Sequence, residues 1–116
     1  MNVTTKRMTE LHTGFLSPTG EFFPCGYMEH MEIADDILYS LFPGQEFLDP
    51  EEELRKMGWV DIHVSLLTKE YSFYWHYYGH LSPEQKAIIK PIVINNLQSV
   101  SDASKRLLMR EFDDIA

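Results

Sequence analysis

The stretch Trp59-Val60-Asp61-Ile62-His63-Val64-Ser65 alternates without a break. Val60, Ile62 and Val64 fall on one side, and Trp59, Asp61, His63 and Ser65 on the other. That is the period of a half-buried strand with one apolar face. Further on, residues 71–78 supply an antiparallel partner: as a strand, Tyr71, Phe73, Trp75 and Tyr77 share one face, and Ser72, Tyr74, His76 and Tyr78 the other. A helical reading of residues 66–78 stays open, because short apolar runs suit either period.

Upstream, Gly14-Phe15-Leu16 and Glu21-Phe22-Phe23 flank Ser17-Pro18-Thr19-Gly20. Pro at the second turn position and Gly at the fourth suit a type I turn, so a short β-hairpin is expected. Pro24-Cys25-Gly26 breaks it. Over residues 28–41 the period becomes helical: His30, Ile33, Ala34, Ile37, Leu38 and Leu41 recur at three- and four-residue steps, with Glu29, Glu32, Asp35 and Asp36 on the other side. Phe42-Pro43-Gly44 ends that helix. Asp49-Pro50 followed by Glu51, Glu52 and Glu53 starts a second, short one: an Asp cap, Pro at the first position and acids in the first turn. Gly58 is its stop. Ser82-Pro83-Glu84-Gln85 opens a third helix with a capping box. It is expected to run to about Asn96, kinked by Pro91, and to be central, since Ile88, Ile89, Ile92, Val93, Ile94 and Leu97 surround it. A last helix begins near Ser99 or Ser101, with Ala103, Leu107, Leu108, Phe112 and Ile115 as its buried stripe. The fold class is therefore α+β: an N-terminal hairpin, a small antiparallel sheet and about four helices. It forms one domain over residues 1–116, with residues 1–12 as an arm.

Bulk composition agrees. The chain has 116 residues, 44% of them hydrophobic, enough to build one core. The single cysteine, Cys25, excludes a disulfide framework and points to a reducing compartment. No apolar run follows Lys6-Arg7, so no secretory leader is expected, and nothing approaches the roughly 18 apolar residues of a membrane span. A cytoplasmic location is expected. The net charge of −8 is unevenly spread: residues 8–54 hold eleven acids and no Lys or Arg, while the remainder has seven acids against ten bases. Such a half repels nucleic acid and anionic membranes and favours a partner with a basic surface. The plainer reading, acids that keep a small protein soluble, stands beside it.

Candidate chemistry is sparse. A reactive Cys25 would need a base or a positive charge nearby, and Glu29 and Glu32 supply the opposite sign; the role of a buried small hydrophobe fits it better. Cys25, His30, His76 and His80 are of the residue types that make a tetrahedral zinc site, with His12 and His63 in reserve. His76 and His80 face together only if their segment is helical. Six aromatics crowd residues 71–78, but single-strand binders pair aromatics with Lys and Arg, and only Lys69 is close. One aromatic face is expected to fill the core, and the other, Tyr74 and Tyr78 beside Trp59, to be exposed as a protein contact or a homodimer face. No motif for catalysis is present, and no cofactor is called for.

The stretch from Gly14 through Ser17-Pro18-Thr19-Gly20 and Phe22-Phe23-Pro24-Cys25-Gly26-Tyr27 to His30 resembles the opening of small proteins of bacteriophages and prophages of Gram-positive bacteria. Gly58-Trp59-Val60 and Leu81-Ser82-Pro83-Glu84-Gln85-Lys86 resemble them too. The resemblance implies a protein that binds and inhibits a host protein, an anti-CRISPR-like inhibitor of an immunity nuclease being one such case. On that expectation the binding residues are Glu29, Glu32, Asp35, Asp36, Glu51, Glu52 and Glu53 with Trp59, Tyr74 and Tyr78, and the mechanism is occlusion of a basic site. The alternative is a metal- or small-ligand-binding domain using Cys25, His30 and the later histidines.

Overall fold

The computed structural model describes residues 12–65, 70–73 and 81–95, together with Asp102 and Arg106. Strands β1 (Gly14–Leu16), β2 (Phe22–Pro24), β3 (Val60–Ser65) and β4 (Glu70–Phe73) form one antiparallel sheet in the order β2-β1-β3-β4. A single 3-10 turn (Tyr27–Glu29) leads into α1 (His30–Leu41), and α2 (Pro50–Lys56) and α3 (Pro83–Asn95) follow. The described residues thus hold three α-helices where the sequence predicts about four. The predicted last helix lies outside them, except for Asp102 and Arg106, which are both helical.

Local chemistry accounts for the elements. The Gly20 amide donates to the Ser17 carbonyl at 3.0 Å, closing the hairpin turn. Asp49 accepts from the Glu52 amide at 3.1 Å and Pro50 occupies the first turn of α2, as a cap and a preset φ require. Gly58, at φ +92°, stops α2 in the left-handed region that glycine tolerates. The capping box of α3 is complete: the Gln85 amide donates to Ser82 Oγ at 3.1 Å, and the Ser82 amide to Gln85 Oε1 at 2.9 Å. The amide of that same Gln85 side chain then donates to the carbonyls of Ser17 (3.0 Å) and Gly58 (2.8 Å), so one buried residue ties α3 to the ends of the hairpin and of α2.

Over β1 and residues 59–62 the described side chains are buried on both faces of the sheet, which corrects the half-buried reading for that part of residues 59–65. Register puts Phe15, Phe23 and Asp61 on one face and Leu16, Phe22 and Val60 on the other. On the first face Phe15 and Trp59 pack with Ala34, Ile37 and Leu38 of α1 and Leu54 of α2. On the second, Leu16, Phe22, Val60 and Ile62 are equally buried. Trp59, expected on an exposed aromatic face, is a core residue whose ring lies 5.3 Å from that of Phe23. Two further expectations fail at helix margins. Leu41 is 49% exposed, because it is the last residue of α1 and borders an exposed loop, and Ile94 is 47% exposed, so α3 is not apolar-covered all round.

Candidate metal centre

The face of β3 that carries Asp61 and His63 meets the start of α1 and the first turn of α2. Four side chains converge there. His30 begins the buried stripe of α1, Glu51 lies one residue past the Pro that starts α2, and Asp61 and His63 are two apart on β3 and so project to the same side. His30 Nδ1 lies 3.0 Å from Asp61 Oδ1, and His63 Nε2 lies 2.9 Å from that same oxygen. The two imidazoles stack with centroids 4.3 Å apart. One ligand atom from each of His30, Glu51, Asp61 and His63 lies within 4.8 Å of all the others. Phe15 closes the interior side, its ring 4.7 Å from that of His30.

Burial makes the grouping unusual. Asp61 is wholly buried and His30 nearly so, while His63 and Glu51 reach toward solvent. A buried carboxylate is costly unless paired. Arg55 provides one partner: its Nη1 donates to Asp61 Oδ2 at 2.9 Å and lies 3.7 Å from a Glu51 oxygen one turn earlier. Burial pushes the Asp61 carboxyl pKa up, but hydrogen bonds from His30 and His63, with their charge, outweigh it and hold it well below the ordinary carboxylate range. Glu51 goes the other way. Burial raises it, and the neighbouring Asp61 charge raises it further, only partly countered by His30 and Arg55. Cys25 is pushed up to about 12, first by burial and then by the charges of Asp61, Glu29 and Glu51.

The donor set can act in two ways. Asp61 can relay a proton between two imidazoles, or the four donors can close on a divalent ion. Ligands about 2.1 Å from one ion stand about 3.4 Å apart in a tetrahedron and about 3.0 Å apart at right angles. The His30–Asp61 and Asp61–His63 separations of 3.0 and 2.9 Å already lie near those edges. With both imidazoles neutral, the form that ligates a metal, two carboxylates beside one arginine leave net negative charge at the centre, which a cation offsets.

The sequence-level ligand set is therefore revised. His30 is retained and His63 moves from reserve to the centre. Cys25 does not belong to the converging group, and Glu51 and Asp61 replace it. His76 and His80, like Tyr74 and Tyr78, lie outside the described residues. The expected acidic binding face divides as well. Glu29 at the end of the 3-10 turn and Glu32 and Asp35 on α1 are exposed and Asp36 is half-buried, but Glu51 turns inward to Asp61, Glu52 supplies its amide to the Asp49 cap, and Glu53 pairs with Lys56 at 3.6 Å. No described helix is long and apolar enough to cross a membrane. No family model matches the chain, and no match to it is found among curated proteins or solved structures.

Proposed function

We propose that this domain binds one divalent transition-metal ion of the zinc class through His30 Nδ1, His63 Nε2 and the carboxylates of Glu51 and Asp61. The observation that carries this reading is the convergence of two imidazoles and two carboxylates to within 4.8 Å at the junction of α1, α2 and β3. Imidazole and carboxylate together suit zinc and its neighbours, and a closed set of four protein ligands suits a structural ion. Arg55 would orient Asp61 from behind, as outer partners of metal ligands do. An ion there joins both helices of the first sheet face to the strand beneath them, so its binding energy adds to folding stability.

The test is equilibrium dialysis of chelator-stripped protein against zinc, with elemental analysis and a thermal melt. One ion per chain is expected. At free zinc one hundred times the dissociation constant, linkage gives about 2.7 kcal/mol, or about 11 °C in midpoint for a domain of this size. His63→Ala loses the stacking on His30 and the contact with Asp61, but His63 reaches solvent and lies outside the apolar core, so the variant should fold yet bind far less zinc and lose the thermal gain. Zinc uptake by that variant equal to wild type, or no uptake by either, refutes the reading. Cobalt gives a second readout, since its visible spectrum reports ligand geometry without depending on stability.

A further inference from the structure

Opposite its buried stripe, α1 carries a second one. Met28 of the preceding 3-10 turn and Met31, Glu32 and Asp35 of α1 form one wall of an open groove of about 530 Å³, with Phe47, Leu48 and Pro50 facing them. Met28 is 92% exposed and Leu48 is fully so, and large apolar side chains exposed together beside polar ones mark an interaction surface. The polar part of the lining is carboxylate alone. Among the described residues no ion pair involves Glu32 or Asp35, and residues 8–54 contain no Lys or Arg that could neutralise them locally.

We propose that this groove docks an amphipathic basic peptide segment of another protein. Its apolar side chains seat between Met28, Met31 and Leu48, and its Lys or Arg side chains reach Glu32 and Asp35. An apolar floor alone would accept any hydrophobic partner. The two unpaired-in-sequence acids select the sign of charge, steering association and rejecting acidic segments. Methionine suits the floor because its unbranched side chain adapts to varied shapes, and an apolar helix face in a groove with i, i+3, i+4 anchors is a recurrent mode of recognition.

The probe is a labelled Leu/Lys peptide of about four helical turns, leucines on one face, read by fluorescence anisotropy against the full chain. A Leu/Glu peptide of identical pattern and a Lys peptide with scrambled leucines serve as comparisons. The Leu/Lys peptide should bind best. Its affinity should fall at least about ten-fold with Met28→Ser/Leu48→Ser, and similarly with Glu32→Lys/Asp35→Lys; all four side chains are exposed, so the serine variant should melt as the wild type does, and the lysine variant should still melt cooperatively, a few degrees lower because Glu32 lies in the first turn of α1. Equal binding of the Leu/Glu peptide, no binding of the Leu/Lys peptide, or unchanged affinity in the serine variant overturns the proposal. So does a stable dimer by light scattering that the serine variant dissolves, because the occupant is then a second copy of this chain.

Discussion

Asp61→Asn keeps the shape of the side chain at the centre of the cluster and removes its charge. Arg55 Nη1 donates to Oδ2, and His30 Nδ1 and His63 Nε2 lie 3.0 and 2.9 Å from Oδ1. An amide offers one acceptor oxygen and one donor nitrogen. If the oxygen faces the imidazoles, the amide nitrogen opposes Arg55; if it faces Arg55, the nitrogen opposes two rings. The first orientation takes the acceptor from Arg55, and the second takes it from any ring N–H that faces the amide nitrogen. Removing one partner of a buried ion pair costs about 3–5 kcal/mol. The lower end applies here, because Arg55 is partly exposed and can turn to water or Glu51, and because Glu51 is relieved of a neighbouring charge. About 3 kcal/mol at pH 7 corresponds to about 12 °C in midpoint for 116 residues. The assay is calorimetry with chelator present, so that metal is not a variable. The pH dependence has a definite sign. The folded pKa of Asp61 lies below the unfolded value of about 3.9, so its stabilisation is fully present above that value and is lost as the pH falls through the folded pKa. The gap between wild type and variant should therefore persist down to about pH 5 and narrow only in stronger acid. A loss below about 1 kcal/mol at pH 7, on the scale of an exposed pair, would show that the network does not hold this region together.

Other consequences are simpler. Gln85→Ala removes the donor to two buried carbonyls and the acceptor for the Ser82 amide, and should cost about 2–3 kcal/mol in urea unfolding; a loss within about 0.5 kcal/mol, as at an ordinary surface site, would mean that water replaces it. Cys25, with its thiol pushed up to about 12, should react with a disulfide reagent at mildly alkaline pH about a thousand-fold more slowly than free cysteine. Urea unfolding should restore the normal rate, and a fast native reaction would contradict the burial that raises it.

Much of the fold is legible in the sequence because it is built from local signals. The hairpin follows from Ser17-Pro18-Thr19-Gly20, the start of α2 from Asp49-Pro50, and that of α3 from Ser82 and Gln85, each a contact between residues a few positions apart. What failed was the environment of a face. Period two assigns Asp61 and His63 to one side of β3, but it does not say whether that side meets water. Two polar residues argue for solvent. The deciding residue is Trp59 on the same side, whose area is too large to leave exposed at modest cost, and it marks a face that a second layer covers. Reading Trp59 as core would have placed Asp61 and His63 beneath α1 and α2. His30, already aligned with the buried stripe of α1, would then have been sought opposite them rather than beside Cys25.

Charge counting failed for a related reason. Eleven acids over residues 8–54 describe a field, and a field is indifferent to which carboxylates point inward. The helical period separates them. On α1 the buried positions are His30, Ala34, Ile37 and Leu38, so Glu32 and Asp35 are turned outward and contribute to the groove. On α2 the buried positions are Pro50 and Leu54, and Glu51, about 60° of rotation from Leu54, is carried toward β3, with Arg55 one turn on beside it. Glu52, one position later, lies outside the converging four and gives its amide to the Asp49 cap. The difference between a carboxylate that attracts a partner and one that can ligate an ion is thus about 100° of helix rotation, and it is set by the apolar residues on either side rather than by the acids themselves.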